Sequence, residues 1–212
     1  MAPEDTPIPE SGAPAPTTAK APRKKKSPAP LRFAAIDFET ADYQSDSACS
    51  IGVIVVEDGR ILHQVHRLIR PPRSAFVFSY LHGITWRQVE GEPPFGEVYP
   101  SLRPLFEGVA FIAAHNASFD RGVLARCCGV SGHPLPTAPF LCTVKLARKV
   151  FRIFPTNLAA VCQNLEIPLK HHDALSDALA CAKIVSLAAE KGASFRGMTL
   201  PPAKLPPPPA LS

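Results

Sequence analysis

The feature that most constrains the fold is the segment from Leu31 to Thr40, which reads LRFAAIDFET. Its apolar residues predict a buried strand, and successive side chains of a strand project to opposite faces. Asp37 and Glu39 are therefore expected on one face, with Ile36 and Phe38 on the other. Burying two like charges side by side costs several kcal/mol unless a cation neutralises them. The pair therefore indicates a divalent-metal site.

Composition divides the chain of 212 residues into three parts, because its prolines are concentrated at the two ends. We expect a disordered arm rich in Pro, Ala and Lys over residues 1–30, one folded domain over residues 31–191 and a proline-rich tail over residues 192–212. The run Arg23-Lys24-Lys25-Lys26 contributes much of the net charge of +5. We interpret it first as a solvated charge run; a nucleic-acid contact and a nuclear-type address are the alternatives.

The six cysteines lie in otherwise apolar segments and form no Cys-x-x-Cys pair. We interpret them as reduced core residues rather than as disulfide partners or zinc ligands. No stretch reaches the roughly 18 apolar residues of a membrane span, and residues 1–12 do not resemble a signal peptide. The sequence therefore predicts a cytoplasmic protein without membrane association.

Strand and helix signals alternate along the predicted domain. The predicted strands cover residues 32–39, 49–56, 60–69, 109–114 and the region around Phe140 and Leu141. The predicted helices cover residues 97–106, 144–150, 158–165 and the segment from about Asp173 onward, with short helices between residues 71 and 94. Asp58-Gly59 predicts a hairpin between the second and third strands. The pattern predicts an α/β fold: a mixed five-stranded sheet, three antiparallel strands and then two more, flanked by helices.

Gly52 interrupts the otherwise β-branched second strand. A glycine inside a strand often marks a place where a ligand or another backbone comes close. Since this strand is predicted to pair with the first, Gly52 is expected to leave room beside Asp37 and Glu39.

Two further carboxylates and a histidine join this pair. Asp120 is expected in the first turn of a helix capped by Ser118, and Asp177 early in the last helix, where the helix dipole favours an acid. Strand ends and helix starts converge on one rim of an α/β sheet, so the four acids can meet there. His172 precedes the last helix, and a histidine with the ordinary pKa of about 6.5 suits a general base. Taken singly, these residues are also consistent with helix-start charges and a loop histidine.

Three motifs occur in order, Asp37-Phe38-Glu39-Thr40, Asn116-Ala117-Ser118-Phe119-Asp120 and His172-Asp173-Ala174-Leu175-Ser176-Asp177. Together they resemble the exonuclease motifs of the DnaQ-like, DEDDh-type 3'-to-5' exonucleases, a family that includes the proofreading epsilon subunit of bacterial DNA polymerase III. The segments Leu81-His82-Gly83-Ile84-Thr85 and Ala114-His115-Asn116 also resemble that branch. The resemblance covers roughly residues 32–190.

The resemblance implies a ribonuclease H-like fold and hydrolysis assisted by two divalent ions, Mg²⁺ or Mn²⁺, which oxygen ligands favour over zinc. The implied metal ligands are Asp37, which would bridge both ions, Glu39, Asp120 and Asp177. His172 would deprotonate the attacking water; His171 is adjacent, but the spacing to Asp177 favours His172. The residues implied to hold the terminal nucleotide are Thr40, His82, Asn116 and Phe119. A core role for Phe119 and a turn-capping role for His82 are the alternatives.

The leading hypothesis is a metal-dependent 3'-to-5' exonuclease that releases nucleoside 5'-monophosphates from single-stranded or frayed DNA in proofreading or repair. Its partners would be nucleic-acid 3' ends, DNA before RNA, with a DNA polymerase subunit as a further candidate. One alternative is a 3'-to-5' exoribonuclease on short or structured RNA, because base-stacking surfaces do not report the sugar. The other is an inactive adaptor that binds nucleic-acid ends or a polymerase.

Overall fold

A computed structural model of the chain describes residues 31–205. The predicted arm over residues 1–30 lies outside the described residues, as do residues 206–212 of the predicted tail. None of the helices between residues 31 and 205 combines the length and apolar character that a membrane span requires.

One mixed sheet forms the centre of the fold. Its strands are β1 (Arg32–Thr40), β2 (Ala48–Glu57), β3 (Arg60–Leu68), β4 (Ile112–Ala114), β5 (Phe140–Cys142) and β6 (Thr199–Leu200). They lie in the order β3-β2-β1-β4-β5-β6. The first three are antiparallel, β4 and β5 are parallel to β1, and β6 is antiparallel to β5. The predicted α/β architecture is confirmed.

The sheet has six strands, so the predicted number of five is wrong. The additional strand β6 pairs Thr199 and Leu200 with Leu141 and Phe140. It contains two residues, which is too short for an alternating apolar pattern to appear in the sequence. Since β6 lies beyond residue 191, the fold continues into the segment predicted as a tail.

Seven α-helices surround the sheet in the described part of the chain. They are α1 (Ser79–His82), α2 (Trp86–Val89), α3 (Phe95–Leu102), α4 (Ser118–Ser131), α5 (Thr143–Leu146), α6 (Leu158–Asn164) and α7 (Ala174–Glu190). A 3₁₀ turn, Arg103–Phe106, continues α3, and one turn of π-helix, Ala147–Phe151, continues α5. Asp173 caps α7 by accepting a hydrogen bond from the main-chain N–H of Ser176 at 3.1 Å.

The two faces of β1 pack against different helices, as the alternation of the strand requires. Ile36 and Phe38 belong to the core shared with α3 and α4. Phe33 and Ala35 belong to the core shared with α6 and α7. Asp37 continues the second series, so its side chain is directed towards the side of α7.

All six cysteines are buried and free of disulfide bonds. Cys127 and Cys128 belong to the core under α4, while Cys162 and Cys181 belong to the core under α7. Their positions agree with the prediction that cysteines serve as small apolar core residues.

Candidate active site

Three carboxylates meet at the carboxyl end of β1. Asp37 and Glu39 come from the strand and Asp177 from the first turn of α7, and one oxygen of each lies within 4.8 Å of the others. Asp177 is buried, and its Oδ1 has no hydrogen-bond partner among the described residues. A buried carboxylate oxygen is rarely left unpaired in a folded protein. The donor set therefore fits a hard divalent cation, which would satisfy this oxygen and the facing carboxylates.

Asp120 lies beside these three carboxylates, and its charge acts on Asp37 and Glu39. It is 1% exposed in the first turn of α4, and its Oδ1 accepts a hydrogen bond from the main-chain N–H of Phe38 at 3.1 Å. That hydrogen bond attaches the start of α4 to β1, between Asp37 and Glu39. All four predicted acids thus lie at one rim of the sheet.

Burial raises the pKa of all four acids, and neighbouring acids raise it further for Asp37, Glu39 and Asp120. Burial raises the pKa of Asp37 well above its ordinary value, and the charges of Asp120, Asp177 and Glu39 raise it further. Burial, followed by the charges of Asp177 and Asp120, raises the pKa of Glu39 to about 7. Burial also raises the pKa of Asp120 to about 7, against the opposing effect of the Phe38 N–H, and raises the pKa of Asp177. Ionising the cluster is therefore unfavourable until a cation compensates its charge.

Two adjacent histidines contact Asp177. The Nδ1 atom of His171 lies 3.1 Å from Asp177 Oδ2, and the main-chain N–H of His172 donates to the same oxygen at 3.2 Å. Their rings are stacked with centroids 3.9 Å apart, and His172 adopts a left-handed backbone with φ of 62°. His171, which the spacing argument set aside, is thus the histidine whose ring binds Asp177.

The ring of His172 forms no hydrogen bond with any residue between 31 and 205. Burial and the neighbouring His171 lower the pKa of His172 below its ordinary value. A histidine with a lowered pKa is neutral near pH 7 and can accept a proton. The geometry leaves this ring available for that role.

A cavity of about 220 Å³ lies beside Glu39. Its walls are formed by Phe38, Glu39, Thr40, Phe78, Leu81, His82 and Phe119. Three of the four predicted substrate residues, Thr40, His82 and Phe119, thus line one cavity. Sequence reasoning missed Phe78 and did not select Leu81, although Leu81 belongs to a motif that carried the resemblance.

The structure excludes the alternative role of Phe119 as a core residue and supports the alternative role of His82 in a turn. Phe119 is 46% exposed, so it is not a core residue. His82 does stabilise a turn, because its Nδ1 accepts a hydrogen bond from the N–H of Ile84 at 3.0 Å. Its Nε2 also lies 3.2 Å from the carbonyl oxygen of Thr40, which holds α1 against the end of β1. His82 is therefore both a turn residue and a wall of the cavity.

Asn116 does not line this cavity. It has a left-handed backbone with φ of 68° just after β4, and its Oδ1 accepts a hydrogen bond from the Ser118 hydroxyl at 3.1 Å. The prediction that Ser118 caps α4 is wrong, because Ala117 occupies the N-cap position and no side chain caps the helix. The hydroxyl of Ser118 is directed back to Asn116 instead.

The family model described as exonuclease (RNase_T) matches residues 34–185. The chain belongs to this exonuclease family. The resemblance to DnaQ-like exonucleases and the ribonuclease H-like fold are both confirmed. A solved structure of exonuclease X in complex with 5' overhanging duplex DNA superposes with a TM-score of 0.63 at 26% identity, covering 78% of this chain and 96% of that one.

Two curated relatives of this exonuclease domain are similar in sequence. The PolC-type DNA polymerase III of Thermotoga petrophila is 32% identical over 160 residues, which are 72% of this chain and 11% of the polymerase. Exodeoxyribonuclease 10 of Escherichia coli K12 is 32% identical over 157 residues, which are 71% of this chain and 65% of the relative. The chain therefore spans a small part of the polymerase and just under two thirds of exodeoxyribonuclease 10.

Proposed function

We propose that the chain is a metal-dependent 3'-to-5' exonuclease that releases nucleoside 5'-monophosphates from single-stranded or frayed DNA. The observation that carries this proposal is the cluster of Asp37, Glu39 and Asp177, in which the buried Oδ1 of Asp177 has no hydrogen-bond partner among the described residues. DNA is preferred as the substrate because exodeoxyribonuclease 10, by its name, acts on DNA.

Four acids, Asp37, Glu39, Asp120 and Asp177, would hold two Mg²⁺ or Mn²⁺ ions, with Asp37 as the shared ligand. When bound, the ions would act as Lewis acids on the phosphodiester and on its leaving 3'-oxygen. Asp37 is proposed as the shared ligand from the resemblance to DnaQ-like exonucleases, and one of its carboxylate oxygens lies within 4.8 Å of an oxygen of Glu39 and of Asp177. The main-chain N–H of Phe38 keeps the Asp120 carboxylate turned towards this group.

His172 is proposed as the general base that takes a proton from the attacking water. Its ring is free of hydrogen bonds within the described residues, and its pKa is lowered mainly by burial. Asp177 holds the His172 backbone by accepting its N–H, so the base and the carboxylate cluster form one unit. His171 is proposed to position Asp177 through the contact at 3.1 Å.

The cavity beside Glu39 is proposed to hold the terminal nucleotide. Phe78, Leu81 and Phe119 supply apolar surface on which a base can stack, and such stacking tolerates any base. Thr40, which follows Glu39 in β1, also lines this cavity. Because Glu39 belongs to both the cavity and the cluster, a nucleotide in the cavity would place its phosphate next to the carboxylates.

The cellular setting is also a proposal. Similarity to part of a PolC-type DNA polymerase III supports proofreading or repair in association with a DNA polymerase subunit, in the cytoplasm. A pull-down of the purified chain with polymerase subunits from the same cell would test this association.

The proposed reaction is tested by a gel time course on matched single-stranded DNA and RNA, each labelled at the 5' end, with Mg²⁺, Mn²⁺ or EDTA. We expect a ladder that shortens by one nucleotide at a time, requires metal and develops faster on DNA. Faster shortening of RNA would indicate that RNA is the substrate. Binding of both strands without shortening under any metal would indicate that the chain is an adaptor and not an enzyme.

A further inference from the structure

An exposed basic and aromatic surface lies outside the carboxylate cluster and the cavity. It consists of Arg148, Lys149, Arg152 and Phe154, and we call it the 148–154 surface. The three cations are exposed, and within residues 31–205 none of them takes part in an ion pair. Phe154 is 70% exposed. Three exposed cations and an exposed aromatic ring thus lie within the short segment 148–154.

This surface is held in place by main-chain hydrogen bonds and a buried side chain. The N–H groups of Arg152 and Ile153 both donate to the carbonyl oxygen of Ala147, the latter at 3.0 Å, and Arg152 has φ of 59°. Ile153 is 8% exposed and belongs to the core under α7. The turn of π-helix at Ala147–Phe151 is a type of irregularity that occurs frequently at functional sites. Phe154 is therefore presented to solvent by a fixed loop.

His115 connects this loop to the candidate active site. Its Nε2 lies 2.8 Å from the carbonyl oxygen of Thr156, and its Nδ1 lies 2.8 Å from the hydroxyl of Thr143 at the start of α5. Arg148 also donates to the Thr156 hydroxyl at 3.2 Å. His115 directly follows β4, whose residues Ile112 and Ala113 pair with Ala34 and Ala35 of β1, the strand that also carries Asp37. His115 thus links the loop of the 148–154 surface to the part of the sheet that carries the carboxylate cluster.

We propose that the 148–154 surface binds the single-stranded DNA that precedes the terminal nucleotide. Arg148, Lys149 and Arg152 contact the phosphates, and Phe154 stacks on a base. Cations along a strand provide affinity without reading the sequence, and stacking on an aromatic ring accepts every base. The assignment rests on the proposed function, since it names where the strand lies when its 3' end reaches Asp37.

The test is the binding of a fluorescein-labelled, ten-nucleotide DNA strand, followed by fluorescence anisotropy in EDTA so that no turnover occurs. The variants are R148Q/K149Q/R152Q and F154A. The variant K149Q/R152Q keeps the hydrogen bond from Arg148 to Thr156. It therefore tests whether weaker binding comes from lost charge and not from a change in the loop. The matched control is R60Q/K191Q/R196Q, which removes the same charge from exposed cations outside this surface.

We expect the triple variant to bind at least about tenfold more weakly, with its log–log salt slope reduced by about 2, since each phosphate contact on a single strand contributes about 0.7. F154A should bind about fivefold or more weakly. K149Q/R152Q should fall between the triple variant and the wild type, and the control should stay within about twofold of the wild type.

Wild-type affinity in the triple variant, or an equal loss in the control, would overturn the assignment. Failure of the proposed function is a separate result, because it would appear as absent hydrolysis in the wild type with Mn²⁺. Binding in EDTA tests the surface whether or not the strand is hydrolysed.

Discussion

Asp37 lies directly opposite Gly52 in the ladder of β1 and β2, and the main chain of Ala174 occupies the place of a Cβ on residue 52. The start of α7 can therefore rest on the sheet beside Asp37, which brings Asp177 to the cluster. Gly52 was expected to permit a close approach, and the segment that approaches it is the main chain of Ala174.

Replacing Gly52 with alanine should push α7 away from the sheet. The new Cβ would overlap the main chain of Ala174 and Leu175, which cannot move as a flexible side chain would. We expect the free energy of unfolding to fall by about 1–3 kcal/mol and exonuclease activity to fall with it, as measured by thermal unfolding and single-turnover rates. The matched control is Gly91→Ala, because a Cβ there meets no atom within 4 Å. Equal stability of the two variants would contradict the packing argument.

The pH dependence of the metal-free protein follows from the raised pKa values. A carboxyl group whose folded pKa is raised contributes stability below its unfolded pKa of about 4 and loses that contribution as pH rises through its folded pKa. For Glu39 and Asp120 the folded pKa is about 7, and the pKa values of Asp37 and Asp177 are also raised. We therefore expect the cluster to destabilise the metal-free fold as pH rises from about 4 to about 8.

The difference in melting temperature between wild type and Asp37→Asn isolates this effect from acids elsewhere in the chain. In EDTA, the melting temperature of Asp37→Asn should increase relative to that of the wild type as pH rises, because the variant lacks one of the repelling charges. Adding Mn²⁺ should stabilise the wild type more at pH 8 than at pH 5, and more than it stabilises Asp37→Asn. A difference that does not change with pH would mean that the cluster is not under electrostatic strain.

His172 and His171 should differ in their contributions to turnover. We expect His172→Ala to lower kcat by about 10² to 10⁴, because it removes the proposed base, and His171→Ala to lower it less, because Asp177 keeps its hydrogen bond from the His172 main chain. Since the pKa of His172 is lowered, wild-type activity should decline only at pH values below its ordinary pKa of about 6.5. Stopped-flow rates across pH check both points, and a larger loss in His171→Ala would assign the base to His171.

The walls of the cavity should control affinity for the terminal nucleotide. Loss of one stacked base costs about 1–3 kcal/mol, so Phe119→Ala and Phe78→Ala should each raise KM by about five- to 150-fold. Val130→Ala is the control, since Val130 lies on α4 with Phe119 and is also exposed, but at the far end of the helix. Steady-state kinetics on single-stranded DNA would measure the change, and an unchanged KM in both phenylalanine variants would place the nucleotide elsewhere.

The acid cluster could be predicted from the sequence because it follows from regular structure. Strand alternation places Asp37 and Glu39 on one face, and the first turns of α4 and α7 bring Asp120 and Asp177 to the same rim. Gly52 in a β-branched strand was also informative, since a glycine there often marks a close approach, and the main chain of Ala174 makes that approach.

The remaining details depend on irregular backbone. The ring of His171 contacts Asp177, and the adjacent His172 has a left-handed backbone. The number of residues between these histidines and Asp177 does not reveal that backbone conformation. Phe78 precedes a helix of four residues that has no apolar period, and β6 is shorter still. The hydroxyl of Ser118 could have capped α4, but the left-handed Asn116 offered it another acceptor.

The most direct test of the central claim is the single-turnover rate on 5'-labelled, single-stranded DNA in Mn²⁺ or EDTA for wild type, Asp37→Asn and Glu107→Gln. Glu107 is an exposed acid outside the cluster and serves as the control for removing a negative charge. We predict shortening from the 3' end that requires metal, falls by about 10²-fold or more in Asp37→Asn and is unchanged in Glu107→Gln. Wild-type rates in Asp37→Asn, or shortening in EDTA, would contradict a metal-dependent reaction at this cluster.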